Sequence, residues 1–127
     1  MTGANSIYCK LCKMNTNTTI CTLLTTLPNI LILLLNRGQE KCKINFYEDL
    51  NLTNYIQEKS IGGSYKLIGI ISYNEGINVS SYFYAYYRDP ITDKWNKYDD
   101  NNINDVNDFN EVINSINPFL LLYQLIN

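Results

Sequence analysis

The feature that most constrains this chain is a succession of short apolar or alternating runs, each strand-length and each closed by turn residues. The longest apolar run, Ile30 to Leu35, is six residues long between Pro28-Asn29 and Asn36-Arg37-Gly38, against roughly 20 needed to cross a bilayer as a helix. It reads as a buried strand, preceded by a Thr-, Ile- and Leu-rich strand over Thr18 to Leu24. Lys41-Cys42-Lys43-Ile44-Asn45-Phe46 alternates polar with apolar, as a strand with one wet face does. Tyr65 to Ser72 has a central-strand pattern, followed by the turn signal Asn74-Glu75-Gly76. From Val79 to Arg88 the alternation sends Tyr82, Tyr84 and Tyr86 to one side and Phe83, Ala85 and Tyr87 to the other. A small Ala amid aromatics predicts close approach of another layer. Trp95 to Asp99 and Phe119 to Gln124 complete the strands; Asp89 to Lys94 reads as a loop, the acidic Asn-rich stretch after Asp99 as a turn, and Asn107 to Ile113 as a helical turn. Tyr47 to Glu58 is compatible with a loop or with a helical turn. The sum is a mostly antiparallel, β-rich α+β domain.

At 127 residues the chain should fold as one unit. With 46% hydrophobic residues it is too apolar for a disordered segment. Ten basic against twelve acidic side chains leave no field to hold a phosphate backbone, so nucleic acid is not an expected partner. Met1 to Lys10 lack a basic start followed by an apolar stretch, so no signal peptide and no membrane anchor are expected. Three Asn-x-Ser/Thr sequons, at Asn17, Asn51 and Asn78, carry little weight in so Asn-rich a chain. The four cysteines suit a reducing, intracellular compartment, cytoplasmic or nuclear. Histidine is absent altogether, which excludes a Ser-His or Cys-His catalytic unit built from this chain alone.

Six ordered blocks carry a resemblance. They are Cys9-Lys10-Leu11-Cys12, Leu27-Pro28-Asn29-Ile30-Leu31-Ile32-Leu33-Leu34-Leu35-Asn36-Arg37, Tyr65-Lys66-Leu67-Ile68-Gly69-Ile70-Ile71, Tyr82-Phe83-Tyr84-Ala85-Tyr86, Trp95-Asn96-Lys97-Tyr98-Asp99-Asp100 and Pro118-Phe119-Leu120-Leu121-Leu122-Tyr123-Gln124. In this order and spacing the chain resembles the C-terminal part of the catalytic domain of the ubiquitin-specific protease (ubiquitin carboxyl-terminal hydrolase) family. The resemblance implies an antiparallel sheet like the palm and fingers of that papain-like fold, with residues 1–26 a remnant of zinc fingers and 27–127 the palm-like sheet. It also implies ubiquitin or a ubiquitinated protein as partner.

Family members cleave the bond after the C-terminal glycine of ubiquitin with a Cys nucleophile, a His base and an Asp or Asn that orients the His. The nucleophile belongs to a segment upstream of the one represented here. The His position aligns with Tyr82, and a phenol, titrating near 10, is a poor general base at neutral pH. Asp99 aligns with the orienting carboxylate and Asp100 stands beside it; on composition alone the pair reads as an acidic turn. Tyr73 falls where many members carry a second His, and Phe83 takes the aromatic place beside the catalytic one. With both histidines exchanged for tyrosine, each a single codon change, the resemblance implies an inactive relative. Tyr65, Phe83 and Tyr73 are the expected ubiquitin contacts, and the aromatics around Tyr82, Phe83 and Tyr65 should line one surface; for Tyr82 an ordinary aromatic on a sheet face is an equal reading. The alternative is a β-rich interaction module without ubiquitin binding.

Cys9 and Cys12 match one half of a four-thiolate zinc site. No cofactor is therefore expected of the chain alone, zinc requiring another chain or an upstream segment; a redox role for Cys-x-x-Cys lacks its βαβ setting. Cys21 and Cys42 read as small buried hydrophobes. A partial family fold should also expose a sheet face, so self-association or pairing with a Cys-bearing half is expected.

Overall fold

The computed structural model describes residues 6–36, 42–74, 80–115 and 117–126. Two strands, β1 (Ser6–Cys9) and β2 (Met14–Asn17), form a separate antiparallel hairpin. The rest is one antiparallel seven-stranded sheet built from β3 (Ile30–Leu34), β4 (Asp49–Asn51), β5 (Ser64–Asn74), β6 (Tyr82–Arg88), β7 (Trp95–Asp99), β8 (Asn102–Val106) and β9 (Pro118–Leu125). The strand order is β3-β9-β5-β6-β7-β8, with β4 paired to the start of β5. A single helix, α1 (Phe109–Ser115), and two 3-10 turns, Thr53–Tyr55 and Lys59–Ile61, are seen among the described residues.

The sheet has one covered face. Tyr65, Leu67, Ile70, Tyr86, Trp95, Leu121 and Tyr123 point into it and pack with Phe46 from the preceding loop and Val112 from α1. Trp95 stacks on Phe109 with ring centroids 4.9 Å apart, which docks the helix over β7. A bulge between Leu67 and Gly69 shifts the alternation of β5, so that Ile70 and Ser72 stay on the covered side. The phenols of Tyr65 and Tyr123 donate to the carbonyls of Pro28 (2.8 Å) and Tyr47 (2.7 Å), tying two loops to the core.

The strands over Tyr65–Ser72, Trp95–Asp99 and the C-terminal run form as the alternation predicts, and α1 forms near the expected helical turn. The described part of the aromatic strand begins at Tyr82; Val79, Glu75, Gly76, Arg37, Gly38 and Lys41 lie outside the described residues. Elsewhere the structure corrects the reading. Thr18 to Leu24 forms no strand: only Leu24 bridges Ile56, its N–H donating to Tyr55 O at 2.8 Å. Strand-forming residues without a neighbouring strand have nothing to pair with. Cys21 and Cys42 are exposed rather than buried, and residues 42–46 are irregular, with Phe46 turned into the core. Tyr47 to Glu58 resolves into β4 and a 3-10 turn. The acidic Asn-rich stretch contains an unexpected strand, β8, paired along its whole length with β7. Finally, Ile30–Leu34 is an edge strand beside β9, and Ile30, Ile32 and Leu34 are exposed where burial was expected.

Candidate functional site

The residues singled out on β6 and β7 meet through strand register. Ala85 pairs with Tyr98 and Tyr86 with Lys97, so the next step along sets Tyr84 opposite Asp99 and makes Tyr82 and Asp99 diagonal neighbours on the covered side. Tyr82 is half-buried at the open end of that side, and its hydroxyl accepts the Asn74 amide at 3.2 Å. Tyr82, Tyr84 and Tyr86 form a ladder with successive ring centroids 6.1 and 5.8 Å apart.

Lys97, which sequence reasoning passed over, occupies the middle of this group. Its Nζ lies 3.2 Å from Asp99 Oδ2 and 4.6 Å from the centre of the Tyr84 ring. Burial by itself would lower the Lys97 pKa, but the hydrogen bond to Asp99 and the charges of Tyr86 and Asp99 outweigh it, and the pKa is raised. The ammonium is therefore held charged and cannot serve as a base. Asp99, expected from the motifs to be a carboxylate that orients a histidine, is here the partner of a lysine. The signal was legible: Lys97 and Asp99 share period-2 spacing, as do Tyr82 and Tyr84. Burial pushes the Tyr86 phenol up, so it too stays neutral.

Asp100 sits in the left-handed region (φ 51°) between the paired Asp99 and Asn102, a conformation Asp tolerates better than most residues. Its immediate role is the tight turn from β7 to β8. The three expected ubiquitin contacts do not share one surface with Tyr82. Tyr65 is 1% exposed. Tyr73 and Phe83 meet at a tilt of 48°, with centroids 4.9 Å apart, on the opposite, open side of the sheet.

The Cys9-x-x-Cys12 pair forms the tip of the β1–β2 hairpin, turned by Lys13 at φ 53°. The Cys12 N–H points at Cys9 Sγ from 3.4 Å, and the amides of Cys12 and then Leu11 draw the Cys9 thiol below its ordinary pKa. This geometry suits thiolate ligation by two residues. A closed zinc site takes four, and no cluster of three or more His, Cys, Asp or Glu donors occurs among the described residues. The described residues thus do not fit a complete zinc site. A cavity of about 510 Å³ opens at the far end of β6, lined by Lys66, Tyr87, Arg88 and Asp93. Its main charge, Arg88, is committed to Asp93 through two contacts of 2.7 Å, so it is not the site at Tyr82. Among the described residues no helix is long and apolar enough to cross a membrane.

Comparison with known proteins identifies the family and the fold. The model of the family described as "Ubiquitin carboxyl-terminal hydrolase" matches residues 2–123. Ubiquitin carboxyl-terminal hydrolase 48 of Rattus norvegicus is 28% identical over 111 residues, covering 80% of this chain and 11% of the relative. The SAGA Ubp8/Sgf11/Sus1/Sgf73 DUB module bound to ubiquitin aldehyde has a chain that superposes with a TM-score of 0.74 at 22% identity, over 98% of this chain and 30% of the other. The same module bound to monoubiquitin gives 0.75 at 23% identity, over 95% and 28%. At that identity the likeness shows the fold: the antiparallel sheet is the one found in this group. This chain spans about a tenth of the curated relative and under a third of the solved chains.

Proposed function

This chain belongs to the ubiquitin carboxyl-terminal hydrolase family, and from its site we propose that it is a catalytically silent member, a pseudoenzyme or part of one, that keeps a contact surface for the ubiquitin tail. The observation that carries this reading is the pairing at the family's His and Asp positions. Tyr82 stands where the base would be, and Asp99 is engaged by Lys97 at 3.2 Å. No histidine occurs anywhere in the 127 residues, and neither a neutral phenol nor a lysine held as ammonium takes a proton from a thiol at neutral pH. The surface available for a peptide tail is the open end beside Tyr82 and Tyr84. Neighbouring solved modules are bound to ubiquitin aldehyde or to monoubiquitin, which supports ubiquitin as the partner. Four free thiols support an intracellular location. The division into a finger remnant over residues 1–26 and a palm-like sheet over 27–127 is supported by the separate hairpin of β1 and β2.

Two measurements test the proposal. The chain should release no fluorophore from a ubiquitin C-terminal amide, and ¹⁵N-labelled chain titrated with ubiquitin should shift amides around Tyr82, Tyr84 and Asp99. Turnover would sink the silent-enzyme reading, and unchanged spectra at high ubiquitin concentration would sink ubiquitin binding. When the chain is joined to a Cys-bearing family segment, Tyr82→His restores cleavage if the base is the only missing part; continued inactivity means the groove has decayed as well.

A further inference from the structure

We draw no further inference here: the strongest candidate, the cavity of about 510 Å³ at the far end of β6, carries nothing, because its Arg88 is already engaged by Asp93 at 2.7 Å and faced by Glu48 at 3.9 Å, and nothing in the structure selects an occupant or shows what covers it.

Discussion

Two aspartates of the loop between β6 and β7 show how single side chains set the chain's response to acid. Asp89 accepts the amides of Ile91 (2.7 Å) and Thr92 (3.1 Å), which hold its carboxyl below the usual range. Asp93 is held low by its hydrogen bond from Arg88. Arg88 is itself largely covered, and its Nη1 lies 3.9 Å from Glu48 Oε2. A carboxyl with a lowered folded pKa releases its proton more readily folded than unfolded. The stability it contributes is therefore present above the ordinary carboxylate value of about 3.9 and is lost as pH falls through the folded value. Thermal midpoints should fall below about pH 4, and Asp89→Ala with Asp93→Ala should flatten that limb while lowering the midpoint at neutral pH. An acid limb as steep in the double variant as in the parent would exclude this account. At the same scale, the motifs singled out Tyr82, Asp99 and Asp100, and the structure sets Tyr82 and Asp99 diagonally across β6 and β7 with Asp100 in the turn that follows. Lys97 beside Asp99 was legible in the period-2 spacing of β7; that Lys97 also lies over the Tyr84 ring became evident only when β6 and β7 were paired.

Among the elements, the turn into β5 depends on two glycines for different reasons. A Cβ on Gly63 would lie 2.6 Å from Ile56 Cδ1 and 2.8 Å from the Thr53 backbone nitrogen, in a segment where Leu52 N–H donates to Gly63 O at 2.8 Å. The nitrogen cannot move without breaking the 3-10 turn, so Gly63→Ala should cost about 1–3 kcal/mol. Gly62, at φ 73° with open space around it, should lose about 1 kcal/mol on replacement by Ala, from backbone strain alone. Gly69 has ordinary contacts at 3.4 Å and beyond, and Gly69→Ala should change stability little. Urea unfolding of the three variants checks the order; equal losses at Gly63 and Gly69 would contradict it. Strand existence was legible wherever alternation was strong, as in β5, β6 and β7. It failed for β8, whose residues Asn102-Ile103-Asn104-Asp105 read as a turn because polarity was taken for lack of pairing. It failed in reverse for Thr18 to Leu24, where propensity had no partner strand to satisfy it.

For the whole molecule, the described residues pack one core against one face of the sheet, and Ile32, Leu34, Phe83, Tyr87 and Ile103 stay exposed on its other face. The chain accounts for under a third of the solved chains it superposes on.

The sequence alone determined the strand-rich class, the family motifs and the absence of histidine from these 127 residues, because these depend on residue identity and on spacing within one strand. Only the tertiary structure decided which side of each strand meets the core and which aromatics of different strands share it. Tyr65 went into the core, Tyr82 to the covered side and Tyr73 with Phe83 to the open one. It also showed that Ile30–Leu34 is an exposed edge. The physical reason is that a strand's alternation fixes which residues oppose each other, while bulges and neighbouring strands decide which set meets the core.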